Sequence, residues 1–130
     1  MALSTTHNSS QFHIGDLVRV HQKIQEDSKT RIQVFEGTVI AIRGEGENKS
    51  FTVHRIGTGG IRIERIFPLS SPFVEKIEVK APGHVRRSKI YYIREKTSRE
   101  IADITKPRRI RKPAAKITKK PIQAPRKKTV

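Results

Sequence analysis

Short stretches of alternating apolar residues, most of them closed off by Gly or Pro, run from Phe12 to about Asp103. This pattern limits the chain to a small, mainly β fold. Within Asp16–Ile24, Val18, Val20 and Ile24 share one face. The stretch from Arg31 to Arg43 begins in alternation and then turns continuously apolar, as a strand covered on both sides does. Gly37 lies inside it and marks a bend or a bulge. A turn over 44–48 leads to a strand at Ser50–Ile56. A second turn over 57–60 leads to Ile61–Phe67, with Ile61, Ile63 and Phe67 in register. Pro68 to Pro72 forms a corner, and Phe73–Val79 and Val85–Ile93 are the last strands, parted by Ala81-Pro82-Gly83. Strands this short predict a small closed or partly open barrel. No long amphipathic helical pattern separates them, so parallel β/α packing is disfavoured. One short helix is expected near Ser98–Ile104, where Thr97 and Glu100 have the spacing of a capping box. With five Phe, two Tyr and no Trp, the core should be mostly Val, Ile and Leu.

Charge divides the chain a second way. The sequence holds 28 Lys and Arg against 12 Asp and Glu, a formal charge of +16. Every acid lies at or before Asp103, while residues 105–130 carry 11 cations, no acid and four of the seven prolines. Proline removes amide donors and breaks helices, and this segment has few large apolar groups to bury. The expected organisation is a flexible N-terminus over 1–11, a β body over 12–104 and a basic extension over 105–130. The extension is disordered alone, or ordered by a polyanion.

Several classes of function are disfavoured. No apolar run approaches the ~18–20 residues that cross a bilayer. Without cysteine there is no disulfide, thiol nucleophile or cysteine-bearing zinc site. The five histidines form no i, i+4 metal pair beside a Glu, and no phosphate-loop motif is present. Gly57-Thr58-Gly59-Gly60 lies between strands and not before a helix, so it reads as a hairpin turn. Acids flanked by bases, as in Glu64-Arg65 and Glu75-Lys76, suit surface pairing better than a two-carboxylate site. No catalytic residue, cofactor, metal or small-molecule substrate is expected.

A surplus of cations this large points to a polyanion. The segment Val85–Arg94 would, as a strand, place Arg87, Lys89 and Tyr91 on one side and Arg86, Ser88, Ile90 and Tyr92 on the other. Cations beside an aromatic suit RNA phosphates and a stacked base or ribose. The same spacing also fits an ordinary strand with exposed cations. Arg43, Arg55 and Arg62 extend the candidate RNA-binding set along other strands, with Arg94 at its end. The extension adds Lys106, Arg108, Arg109, Arg111, Lys112, Lys119, Lys120, Arg126, Lys127 and Lys128. A free-standing regulator of transcription or translation and a nucleoid-type DNA binder would show similar charge.

The blocks Gly15–Val20, Arg31–Ile40, Phe51–Val53, Gly60–Pro72, Val74–Val79 and Val85–Arg94 together resemble the bacterial large-subunit ribosomal protein L19 family. The runs Arg-Ile-Gln-Val-Phe-Glu-Gly and Glu-Arg-Ile-Phe-Pro carry most of that resemblance. It implies an SH3-like barrel, assembly into the large ribosomal subunit and contact with large-subunit ribosomal RNA. It also implies a cytoplasmic, bacterial-type ribosome, a place at the subunit interface beside a neighbouring large-subunit protein, and a bridge to small-subunit ribosomal RNA. The chain departs from the family at both ends: residues 1–11 lack an amphipathic helical pattern, and a long Pro/Lys/Arg extension follows Asp103.

Overall fold

Alternation builds β3 (Leu17–Glu26) and β4 (Lys29–Arg43), the ribbon on which the other strands assemble. The computed structural model describes residues 4–106. Around the ribbon lie β5 (Ser50–Ile56), β6 (Arg62–Pro68) and β7 (Val74–Ala81), giving an antiparallel sheet in the order β6-β5-β4-β3-β7. Opposed residues share a face. The register Val18↔Gly37, Val20↔Phe35, Val39↔Val53 and Phe51↔Phe67 therefore gathers one apolar layer. Ile77, opposite Val20, completes it from β7.

That layer is more aromatic than expected. Phe12, Phe35, Phe51 and Phe67 are all buried, while among the described residues no leucine is. Phe51 lies 5.0 Å from Phe12 edge-on and 5.5 Å from Phe67 in a stack. Such pairs contribute about 0.5–1.5 kcal/mol each beyond their burial. Around these rings Val and Ile still supply most of the buried core, as composition leads one to expect.

The sheet does not close into a barrel. Among the described residues β6 and β7 are its two edges, with no ladder between them. A separate hairpin, β1 (Ser4–His7) and β2 (Ser10–His13), covers the core by packing. Phe12 is its fully buried anchor, and Asn8 reaches the Glu75 carbonyl of β7. The frayed end expected over 1–11 is thus replaced, from Ser4 onward, by paired strands. Thr5 and His7 point inward although the segment is polar overall.

From Gly37 to Ile42 strand β4 is buried on both faces, and a bulge at Ile40 shifts its register between Val39 and Ala41. The bulge lies three residues after Gly37, which has a different function. A side chain at Gly37 would place its Cβ 2.5 Å from the His54 carbonyl oxygen, so only glycine lets β4 lie this close to β5.

The second face of the sheet is covered by residues 84–105. Val85–Ile93 was expected to be a strand and is not one. It makes a single bridge, Lys89 to Ala41, and then turns into a 3₁₀ helix at Tyr91–Glu95. Ile90 and Ile93, three apart and both fully buried, pin this strap to the sheet. Spacing of three suits a 3₁₀ turn, in which residues i and i+3 share a side. Residues 98–105 form helix α1 (Ser98–Thr105), capped by a reciprocal Thr97–Glu100 box as its sequence predicts. Upstream, Asp16 is buried and its carboxylate accepts from His13 N–H at 2.8 Å and Gly83 N–H at 2.7 Å. That clip ties the start of the strap to the β2–β3 loop.

Candidate nucleic-acid interface

Which cations are free to meet a polyanion depends on which carboxylates they already hold. On the β3–β7 side the pairing is dense. Glu36 accepts from Arg19 at 2.8 Å and from Lys80 at 2.6 Å. Glu78 accepts from Lys76 at 2.6 Å and lies 3.4 Å from His21, and Glu75 lies 3.6 Å from Lys23. Hydrogen bonds from these cations hold the Glu36 and Glu78 carboxyls below their ordinary range. Arg31 pairs with Glu26 near the ribbon tip.

The strap side is built differently. Arg43, at the end of β4, donates to the Tyr91 hydroxyl from Nε at 3.2 Å and again from Nη2. Arg94 lies over the Tyr91 ring, 4.7 Å from its centroid, and is held by Glu64 through hydrogen bonds of 2.6 and 2.8 Å. Those bonds hold the Glu64 carboxyl below its usual range and raise the Arg94 guanidinium. Arg62 donates to the Lys96 carbonyl at 3.4 Å, and Arg87 stacks on Tyr92 at 5.3 Å. Among the described residues Arg43, Lys49, Arg62, Arg86, Arg87 and Lys89 have no carboxylate partner, and neither do Lys29, Arg55, Arg65 and Arg99 elsewhere on the body. Aromatic rings and carbonyls orient three of the strap-side cations, Arg43, Arg62 and Arg87, without cancelling their charge.

The strand reading of Val85–Ile93 had Arg87, Lys89 and Tyr91 share a face. In the structure Arg87 turns to Tyr92, while Lys89 and Tyr91 border Arg43. Arg55 lies on the opposite, aromatic face, 5.8 Å from the Phe35 ring. Arg65 joins it there, over Phe35 and Phe67. Arg94, named from sequence as an RNA contact, is held by Glu64. Lys106 pairs with Asp103. Arg108, Arg109, Arg111, Lys112, Lys119, Lys120, Arg126, Lys127 and Lys128 lie outside the described residues. Sequence reasoning missed Lys49, which faces the same hollow as Arg43 and Lys89. Its one visible signal was being the only cation in the Gly-rich turn.

Among the described residues no three His, Asp or Glu gather as a metal site, and no helix is long and apolar enough to cross a membrane. His54 is buried, with Nε2 lacking a hydrogen-bond partner, and burial lowers its pKa. It therefore packs as a neutral ring.

A family model described as Ribosomal protein L19 matches residues 2–106. The large ribosomal subunit protein bL19 of Kosmotoga olearia is 57% identical over 84 residues, covering 65% of this chain and 73% of that protein. The bL19 of Thermosipho melanesiensis matches with the same identity and coverage. That of Persephonella marina is 53% identical over 89 residues, covering 68% of this chain and 67% of its own. The chain belongs to the ribosomal protein L19 family, whose members are structural components of the ribosome and not enzymes.

Proposed function

We propose that this protein is built into the large ribosomal subunit as a structural constituent that binds large-subunit ribosomal RNA through its strap side and its basic extension. Family membership supports the large-subunit assignment and a place in the cytoplasmic ribosome. The observation that carries the RNA reading is a group of cations on the strap side, Arg43, Arg62 and Arg87, that tyrosine and carbonyl contacts orient while leaving their charge available. Each phosphate they neutralise releases condensed counterions, so binding is driven entropically and weakens with salt. Shape and backbone contacts dominate, because duplex RNA hides its base edges.

The body, 12–104, is read as an SH3-like unit with an open sheet, and the hairpin that begins at Ser4 packs against it. Residues 105–130 are read as an RNA-binding extension. The protein would lie at the subunit interface and contribute to a bridge to small-subunit ribosomal RNA. A neighbouring large-subunit protein would dock along β6, an unpaired edge that exposes Ile63 and Ile66, with Ile61 just before it. Exposed apolar edges are uncommon in proteins that work alone.

Sedimentation of a cell extract tests this. The protein should co-migrate with large subunits at about one copy each. A substoichiometric amount would favour a regulator, and loss on DNA digestion would favour a DNA binder.

A further inference from the structure

We infer that the hollow beside the β4–β5 turn seats one phosphodiester group of the RNA backbone. The inference rests on the RNA-binding reading and narrows it to a place. The hollow has a volume of about 620 Å³, is bordered by Ile42, and collects Arg43, Lys49 and Lys89 from the end of β4, the turn just before β5 and the strap. None of the three has a carboxylate partner among the described residues, although Glu45 stands on the same rim. Three cations facing one hollow repel each other, and an anion between them turns that repulsion into attraction.

The seat is preorganised from behind. Glu64 holds Arg94, Arg94 covers the Tyr91 ring, and the Tyr91 hydroxyl holds the Arg43 guanidinium. A guanidinium fixed in direction can offer two parallel N–H bonds to a phosphate, while the two lysines act as mobile point charges. Tyr91 is the one ring in contact with the lining cations, and its hydroxyl is already engaged by Arg43. This favours a phosphate over a stacked base. Phosphate contacts carry no sequence information, so the seat should fix register and not choose bases.

The test is the salt dependence of binding by the full chain to transcribed large-subunit ribosomal RNA. Lys49→Gln and Lys89→Gln should each flatten the slope of log K against log salt by up to about one. The double variant should also flatten it by only about one, because both lysines meet the same phosphate. Unrelated duplex RNA of equal length should show the same changes. Glu45→Gln should tighten binding severalfold at low salt. All variants should unfold at the temperature of the parent, since the altered side chains border an open hollow. A double variant that flattens the slope by about two would mean separate contacts and no shared seat. Variants that bind like the parent, or a Glu45→Gln variant that binds more weakly, would remove the seat and leave the RNA reading standing. A parent chain without salt-dependent RNA binding would instead remove the reading itself.

Discussion

The two ends of one sheet handle positive charge in opposite ways. On the β3–β7 side Arg19, Lys23, Lys76 and Lys80 each hold a glutamate, and the surface is close to self-neutral. On the strap side Arg43 and Arg87 rest on tyrosines and Arg62 on a carbonyl. Exposed ion pairs of the first kind add little stability, roughly 0–1 kcal/mol each. Their larger effect is to remove those cations from competition for a polyanion. A formal charge of +16 points to a polyanionic partner, and the pairing pattern narrows which side of the body is suited to meet it.

The largest expected effect comes from stripping away the extension, so that the two sides of the body can be compared alone. Residues 107–130 contain ten Lys and Arg. Their deletion should flatten the salt slope by up to ~7–9 if every one meets a phosphate. The body should keep its fold by circular dichroism and retain a smaller slope from the strap side. A body with no remaining slope would mean that the strap side binds nothing.

Loosening the strap comes next. Ile93→Ala empties a fully buried site and should cost about 2–5 kcal/mol in urea unfolding. It should weaken RNA binding as well, because Tyr91 and Arg94 flank Ile93. A variant of unchanged stability would mean that the strap is not held by this anchor.

Acid should erode the contrast between the two sides. Burial depresses the His54 and His7 pKa values in the folded protein. The unfolded chain then binds more protons as pH falls, and stability drops below the ordinary histidine value of 6.5. Glu36 and Glu64 are depressed by their cation partners, so their stabilisation is present above 4.5 and is lost as pH falls through their lower folded values. Protonated Glu36 would release Arg19 and Lys80, making the β3–β7 side resemble the strap side. Urea midpoints between pH 8 and pH 4 should fall monotonically. A midpoint that rises on acidification would contradict the neutral burial of both histidines.

A smaller change is expected from Tyr91→Phe, which deletes the hydroxyl that Arg43 uses. One such hydrogen bond contributes roughly 0.5–1.5 kcal/mol, so RNA affinity should fall about two- to tenfold with the salt slope unchanged. A changed slope would mean that Tyr91 does more than position Arg43.

Much of the scaffold was legible because β alternation is local. The ribbon of β3 and β4, both turns around β5 and the Thr97 capping box follow from residues near one another in sequence. The strap was misread because its β-branched and aromatic residues, Val85, Ile90, Tyr91, Tyr92 and Ile93, suit a strand locally. What decides its conformation is the distant bed of Ile40 and Ala41, to which Ile90 and Lys89 bind. The N-terminal hairpin was missed because one residue, Phe12, supplies most of its apolar anchorage. The set of cations without a carboxylate partner was half legible. Arg43, Arg62, Arg87 and Lys89 could be named from charge. The engagement of Arg94 by Glu64 depends on a pairing thirty residues apart, which no local pattern reveals.

The most direct test compares charge-matched doubles from the two sides in the full chain. Arg62→Gln/Arg87→Gln and Lys76→Gln/Lys80→Gln each remove two positive charges. Binding to large-subunit ribosomal RNA, measured across a salt series, should show a clearly flattened slope for the first pair and almost none for the second. Equal flattening by both pairs would mean that total charge alone governs binding, and the division between neutralised and available cations would fail.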